Sequence, residues 1–116
     1  GIESVAAGIE KAAETLAASR DVSVDVVHIS ESAPVLLDGH IAGVTETCAR
    51  RRNFRYARMN SGAVHDACKF APLVPTGMIF IPSKGGRSHV PEEFTGQEDI
   101  GKGVSLLADV LYELSK

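Results

Sequence analysis

A nearly continuous apolar run at residues 74–81 constrains the fold of this chain most strongly. The run reads Val-Pro-Thr-Gly-Met-Ile-Phe-Ile, which is typical of a β-strand that is covered on both faces. Pro75 must lie near the start of such a strand, because proline cannot donate a ladder hydrogen bond. A strand that is buried on both faces needs helices on both sides, so the run predicts an α/β architecture.

Helical and extended patterns alternate along the rest of the chain. Four segments have apolar residues at helical spacing and are predicted helices: 2–18, 38–51, 64–71 and 98–115. Apolar and polar residues alternate at 22–26, and aromatic residues recur within 54–60, which predicts two further strands. From residue 38 onward, helices alternate with strands, as in βαβ units. The predicted fold class is therefore α/β, with a helix-covered, mostly parallel sheet.

Polar residues indicate where two of these helices begin or end. Asp38 is a plausible N-cap of the second helix, and residues 95–98 (Thr-Gly-Gln-Glu) have the spacing of a capping box. The arginines at 50–52 fall in the last turn of the second helix, where cations favour the helix dipole. We therefore expect these arginines to have a structural role rather than a binding role.

Composition and charge argue against several classes of function. The net charge of -3 opposes a nucleic-acid interface or a polybasic membrane patch. No segment approaches the roughly 20 apolar residues that span a bilayer. Cys48 and Cys68 lack C-x-x-C spacing and are more typical of a reducing compartment. We therefore expect a cytoplasmic protein that binds neither nucleic acid nor membrane.

The first third of the chain differs from the rest. Residues 1–35 combine a helix with an amphipathic strand, a layer that leaves one face in solvent, and residues 30–37 break both periods. We therefore predict a domain boundary here, with the α/β part at residues 36–116. Because the sequence opens directly in a helical pattern, we expect it to be a piece of a longer chain.

Two stretches resist a packing explanation, and each directly follows a predicted strand. The first loop, residues 60–66, contains His65, and the second loop, residues 82–93, contains His89. Each combines an imidazole with small residues that let a ligand approach the backbone. In an open parallel sheet, ligands bind outside the carboxyl ends of the strands. We therefore expect both loops to meet at one site.

His89 is a candidate metal ligand, because an imidazole on a loop suits zinc, manganese or iron. Pro91 opposes a helical H-x-x-E pair, so Glu92 and Glu93 are expected at the edge of the site or in solvent rather than as co-ligands. A lone loop histidine is more often a surface residue. Spacing alone therefore leaves both interpretations of His89 open.

His65 precedes Asp66 at the start of a short predicted helix. Asp66 can cap that helix, or it can orient the imidazole of His65 as an acid, a base or a hydrogen-bond donor. Local sequence leaves both possibilities open. His28 and His40 have no comparable context and are expected to be structural or surface residues.

The two loops and the strand between them resemble the amidase branch of the M20 metallopeptidase-like family. This branch includes allantoate amidohydrolases, N-carbamoyl-L-amino-acid hydrolases and β-ureidopropionases. Its members carry a Ser-Gly-Ala-Gly-His-Asp-Ala segment, similar to residues 61–67, and then a strand similar to residues 75–83. A Gly-Ile-Ser-His-(Ser/Asn)-Pro segment follows, similar to residues 86–91. Two motifs in this order, with the strand between them, make the resemblance specific.

The resemblance implies a two-metal amidohydrolase. Such an enzyme cleaves linear amides of ureido or N-carbamoyl compounds, such as allantoate or N-carbamoyl amino acids, with metal-activated water. It further implies that His89 is the last metal ligand and that His65 is catalytic. Substrate binding is implied for three residues: Ala63, Val64 and Gly86. Val64 stands where the family usually has glycine, and its branched side chain fills space near the substrate.

The resemblance also implies cofactors, partners and domain organisation. Two divalent metal ions, zinc or manganese, act in the complete enzyme, and a smaller lid domain interrupts the catalytic domain and mediates dimerisation. Residues 1–35 resemble the C-terminal piece of the lid, and residues 36–116 resemble the C-terminal part of the catalytic domain. The implied partners are the upstream part of the same chain, a ureido or carbamoyl substrate and a second subunit of a homodimer. By itself, this C-terminal fragment is expected to be inactive.

Two alternative functions remain open. One is an M20-type peptidase or deacylase, which the first loop disfavours and Val64 leaves possible. The other is a non-catalytic α/β interaction or dimerisation module with degenerate site loops, because the remaining metal ligands of the family are absent from these residues.

Overall fold

The computed structural model describes all 116 residues, and it contains four α-helices and one short 3-10 turn. The helices are α1 Ile2–Arg20, α2 Gly39–Arg51, α3 Ala67–Phe70 and α4 Gln97–Leu114, and the 3-10 turn is Lys84–Gly86. The four predicted helices are confirmed to within a few residues at each end. None of them combines the length and the apolar character that crossing a lipid bilayer requires. The chain divides into two compact units, Gly1–Ala33 and Pro34–Lys116.

The predicted α/β fold with a helix-covered, mostly parallel sheet is wrong, because no residue of the chain lies in a strand. The three segments predicted as strands, 22–26, 54–60 and 74–81, run without regular secondary structure. A strand is stabilised by ladder hydrogen bonds to a neighbouring strand, and none of these segments pairs with another. The apolar patterns showed which residues favour burial, but they could not supply a partner strand. The observed architecture is all-helical.

The first unit consists of α1 and the segment that follows it. α1 ends at Asp21, which adopts left-handed angles and whose N–H donates to the carbonyl of Ala17. The His28 imidazole lies 2.6 Å from the Glu10 carboxylate, so it connects the following segment to α1. No residue of α1 is buried. His28 is expected from the sequence to be a structural or surface residue, and its side chain is exposed while it contacts Glu10.

The second unit contains the hydrophobic core, which lies between α2 and α4. Its buried residues are Cys48 and Ala49 from α2 and Leu106 and Val110 from α4. Leu106 and Val110 are four residues apart, so they lie on one face of their helix. Three further side chains pack against this core and are partly buried: Val44, Phe54 and Ile79.

Two ion pairs join α2 and α4 at the edge of this core. The Arg52 guanidinium donates to both oxygens of Asp109, at 2.5 and 2.8 Å, and Arg51 donates to Glu113 at 2.8 Å. The hydrogen bond from Arg52 holds the pKa of Asp109 below its ordinary value, and the bond from Arg51 does the same for the pKa of Glu113. The structural role predicted for the arginines at the end of α2 is therefore confirmed for these two.

The starts of α2 and α4 differ from each other. Asp38 caps α2 as predicted, because its carboxylate accepts the N–H of Ile41 at 2.8 Å. The predicted capping box of α4 is wrong: the N-cap is Gly96, and no side chain caps the helix. The Thr95 hydroxyl instead donates to the carbonyl of Pro82 at 3.0 Å. The Thr95 hydroxyl therefore holds the second loop instead of capping α4.

Residues 76–81 connect the helix pair to both loops. A β-carbon on Gly77 would collide with the Ile41 side chain of α2, and a β-carbon on Gly103 of α4 would lie 2.6 Å from Ile81 Cγ2. The carbonyl of Thr76 also accepts the N–H of Asp38 at 2.9 Å. Close approach at two glycines therefore places this segment against both helices.

Candidate functional site

The first loop holds the imidazole of His65 on two sides. Nε2 of His65 lies 2.7 Å from the Oγ of Ser61. The Phe80 ring meets the imidazole edge to face, with centroids 5.5 Å apart and an angle of 63° between the planes. The His65 residue is half-buried. A hydroxyl and an aromatic ring therefore fix the orientation of this imidazole.

Asp66 has neither of the two roles considered for it from the sequence. It occupies the N-cap position of α3, but its side chain accepts no capping hydrogen bond. It makes no hydrogen bond to His65 either; the partner of that imidazole is Ser61. Ser61 and Phe80 were missed from the sequence. The available signal for Ser61 was a hydroxyl four residues before the histidine in a loop of small residues.

The second loop holds the backbone of His89 rather than its ring. His89 has φ 58°, in the left-handed region that non-glycine residues seldom adopt. Its N–H donates to the Oε2 of Glu93 at 2.8 Å, and the N–H of Glu93 donates to the carbonyl of Val90 at 3.0 Å. The His89 imidazole makes no hydrogen bond, and the residue is exposed. Glu93 therefore holds the turn that presents His89.

Further hydrogen bonds close the second loop at its base. The Ser83 hydroxyl donates to the carbonyl of Arg87 at 2.6 Å. The N–H of Lys84 donates to the carbonyl of Phe94 at 2.8 Å. Gly85 and Gly86 both have positive φ, 68° and 66°, a conformation that glycine adopts without steric cost. The loop therefore begins and ends at defined points beside the start of α4.

The residues of this chain do not by themselves fit a metal site. No three His, Cys, Asp or Glu side chains lie close enough together to hold an ion, and a structural or catalytic metal normally needs three or four protein ligands. Glu93 is engaged by the His89 backbone. At most, the chain supplies His89 as one ligand of a site whose other ligands lie outside these residues. That both loops contribute to one site stays a prediction.

The three residues expected to bind substrate lie at the surface of their loops. The N–H of Ala63 donates to the Oγ of Ser61 at 3.2 Å. Val64 is 75% exposed, so its side chain extends into solvent rather than filling a pocket of this chain. No atom lies within 4 Å of where a β-carbon on Gly86 would stand. All three residues are accessible to a ligand, and their role in binding stays a prediction.

Comparison with known proteins identifies the family. Residues 2–113 match peptidase family M20/M25/M40. The chain belongs to this family. Within the M20/M25/M40 family it belongs to the amidohydrolase branch, in agreement with the resemblance of the two loops.

Three relatives illustrate this placement within the M20/M25/M40 family. Allantoate amidohydrolase of Escherichia coli is 45% identical over 96 residues, which are 82% of this chain and 23% of the relative. N-carbamoyl-L-amino acid amidohydrolase of Geobacillus stearothermophilus is 34% identical over 90% of the chain and 25% of the relative. Ureidoglycolate hydrolase of Oryza sativa is 40% identical over 75% of the chain and 18% of the relative. The chain thus spans about a quarter of the length of these relatives or less.

Proposed function

We propose that residues 1–116 are part of a longer polypeptide, here called the complete protein, that hydrolyses a linear amide of a ureido or N-carbamoyl compound. The observation that carries this proposal is the similarity to relatives whose names state an allantoate, an N-carbamoyl-amino-acid and a ureidoglycolate substrate. These substrates share a carbonyl carbon bonded to nitrogen as their point of attack. Allantoate and N-carbamoyl amino acids are the specific substrates we propose.

The exposed apolar surface of the chain supports its place in a longer polypeptide. The chain exposes 9739 Å², whereas two compact bodies of the sizes of its two units would together expose roughly 7,000 Å². Ile29 and Leu36 are 94% and 93% exposed, although such residues are usually buried in folded proteins. The three unpaired extended segments also lack the neighbours that their apolar patterns favour. Additional chain that covers these surfaces accounts for all three observations.

His65 is the residue we propose for catalysis. Its orientation is fixed by Ser61 and Phe80, and a general acid, base or hydrogen-bond donor needs one ring atom presented in one direction. We place Ala63, Val64 and Gly86 against the substrate, because they flank the two histidines on accessible loop surface. His65 then polarises or positions the substrate carbonyl.

His89 is the residue we propose as a ligand of one of two divalent metal ions, zinc or manganese. Bound metal supplies activated water and charge stabilisation in hydrolases of this kind. The remaining ligands come from residues outside this chain. We further propose that the complete protein is a cytoplasmic homodimer.

Substitution of each histidine in the complete protein tests these assignments. We expect His65→Ala to lower kcat on allantoate or N-carbamoyl amino acids by about 10²- to 10⁴-fold, with the metal content unchanged. We expect His89→Ala to lower both the metal content, measured by inductively coupled plasma mass spectrometry, and the activity. His28→Ala is the control, and residues 1–116 alone should be inactive. Unchanged metal affinity in His89→Ala would contradict the metal assignment.

The family description favours peptidase activity as a second candidate, because the matched family is a peptidase family. Dipeptides and acylated amino acids are therefore assayed beside the carbamoyl substrates. A kcat/KM for dipeptides that exceeds the value for carbamoyl compounds would favour the peptidase alternative. Absence of turnover on all of these substrates would favour a non-catalytic interaction module.

A further inference from the structure

The Ser61 hydroxyl is the centre of a small hydrogen-bond network that the proposed function does not yet use. Its Oγ lies 2.7 Å from Nε2 of His65, 3.2 Å from the backbone nitrogen of Ala63 and 3.5 Å from the carbonyl oxygen of Ala63. A serine hydroxyl has one proton to donate and two lone pairs that accept. The hydroxyl can therefore donate to only one of two acceptors, Nε2 of His65 or the carbonyl oxygen of Ala63.

The distances favour one assignment of donor and acceptor when the imidazole is neutral. The N–H of Ala63 can only donate, so it occupies one lone pair of the Ser61 oxygen. At 3.5 Å the carbonyl of Ala63 is too far for a good O–H···O bond, whereas the 2.7 Å contact with Nε2 is close to the optimum. The geometry therefore favours donation of the hydroxyl proton to Nε2 of His65. A nitrogen that accepts a proton in this way carries none itself, so the neutral ring has its proton on Nδ1.

We propose that Ser61 is a positioning residue for His65, which it holds in the Nδ1–H tautomer so that Nδ1 is the ring atom presented to substrate. The proposal rests on the proposed function insofar as His65 acts on a substrate. It adds which nitrogen faces the reaction and which residue decides it. Phe80 contributes by packing edge to face against the ring, so rotation about the side chain is opposed from a second side.

The same hydroxyl also suits His65 when the imidazole is protonated. An imidazolium donates from both nitrogens, so Nε2 then donates to the second lone pair of Ser61. The Ser61 proton is released from Nε2 and turns toward the carbonyl of Ala63, its remaining neighbour. Rotation of one hydroxyl therefore retains a partner for Nε2 in both charge states. The ring need not turn when it gains or loses a proton.

Imidazole nitrogen chemical shifts test the proposal directly. In the complete protein with ¹⁵N-labelled histidine, the signals of His65 are assigned by their absence in His65→Gln. We expect Nδ1 to be protonated and Nε2 to be unprotonated at a pH where the ring is neutral. Ser61→Ala should remove this preference and return the ring toward the tautomer mixture of free histidine. This measurement is independent of catalytic activity.

Kinetics of two variants of equal shape separate the hydroxyl from packing. Ser61→Thr keeps the hydroxyl, and Ser61→Val has nearly the same shape without it. We expect Ser61→Val to lower kcat by about five- to tenfold, the value of one neutral hydrogen bond, with KM almost unchanged. Ser61→Thr should remain within about threefold of the wild type and retain the Nδ1–H tautomer. Ser115→Ala, which removes an exposed serine hydroxyl at the end of α4, is the control for loss of a hydroxyl.

Three outcomes decide between this proposal and its competitors. Equal kcat values and an unchanged tautomer in Ser61→Thr and Ser61→Val would overturn the role of Ser61, while a large effect of His65→Ala would leave the proposed function in place. A covalent adduct of the substrate carbonyl with Ser61, detected by intact-protein mass spectrometry, would also overturn it, because Ser61 would then be a nucleophile. If the wild type turns over no substrate, the proposed function fails, and the nitrogen shifts still decide the role of Ser61.

Discussion

The two loops that carry His65 and His89 hold different parts of their histidines. In the first loop, side chains hold the ring: Ser61 contacts Nε2, and Phe80 packs against the imidazole edge to face. No residue of that loop has a positive φ. In the second loop, the backbone of His89 is held in a left-handed conformation while its ring makes no hydrogen bond.

This difference is what the two proposed roles require. A residue that donates or accepts a proton must present one ring atom before the substrate arrives, so its ring needs partners within the protein. A metal ligand receives its final ring orientation from the metal and from outer partners. What the chain must supply in advance is the position of the backbone. The contrast therefore supports different functions for the two histidines on geometric grounds.

Glu93 offers the sharpest test of the contrast. Because its carboxylate accepts the N–H of His89 and so holds the turn that positions this residue, we expect Glu93→Ala to lower the metal affinity of the complete protein by about 10-fold, the lower end of the effect of removing a partner of the ligating ring itself. Glu93→Gln keeps an acceptor oxygen and should have a smaller effect. Glu92→Ala is the matched control, because Glu92 makes no hydrogen bond. Metal titration followed by calorimetry measures all three. Equal affinities in Glu93→Ala and Glu92→Ala would remove the distinction between the loops.

A glycine in each loop tests whether backbone conformation matters in only one of them. Gly86 has φ 66°, and Gly62 has no positive φ; an added β-carbon would meet no atom at either position. We expect Gly86→Ala to destabilise the loop by about 1–2 kcal/mol, because an L-residue is strained there. Gly62→Ala should be neutral or slightly stabilising. Urea denaturation of the complete protein, with limited proteolysis of each loop, measures the difference. Similar costs at both glycines would show that the loops are not held differently.

Acidification should have the smallest effect on stability. It should not distinguish the two loops, because it acts on the contact between α2 and α4. Arg52 and Arg51 hold the pKa values of Asp109 and Glu113 below their ordinary values. These carboxylates therefore stabilise the α2 and α4 contact fully above about pH 5, and the stabilisation is lost as the pH falls through about 4 and below. Thermal unfolding between pH 7 and pH 3 measures this loss. It should be smaller in Asp109→Asn and at high salt, which screens partly exposed ion pairs. A loss of equal size in Asp109→Asn would exclude this ion pair as its source.

The sequence predicted the helices well because their information is local. The apolar spacing in α2 and α4 marks the face that contains Cys48 and Leu106, and Asp38 makes its capping bond within three residues. Thr95 shows the limit of such reasoning. Its spacing suggested a capping box, but the carbonyl of Pro82, thirteen residues earlier, takes its proton. Local spacing cannot predict a partner that only the folded loop brings near.

The predicted sheet failed for a related reason. Val22, Val24 and Val26 alternate as a strand does, yet they are 55%, 50% and 45% exposed. Alternation reports which side chains favour burial, whereas a strand exists only when a second strand accepts its backbone hydrogen bonds. No such strand is available within these 116 residues. The sequence also missed the role of Glu93, because its carboxylate contacts a backbone N–H rather than the imidazole or a metal.

Residues 76–81 tolerate few substitutions at their contacts with the helices, because Gly77 and Gly103 lie at these contacts. Each glycine stands where an isoleucine from another element leaves no room for a β-carbon, so even alanine at either position pushes the segment away from its helix. The second loop begins at the end of this segment, and His65 of the first loop packs against Phe80 of the segment, so such a displacement reaches both histidines together. In a deep mutational scan, these two glycines should therefore behave like site residues although neither lies in either of the two loops. Substitutions within the two loops should therefore be tolerated more readily than substitutions that widen the contact between residues 76–81 and the helices.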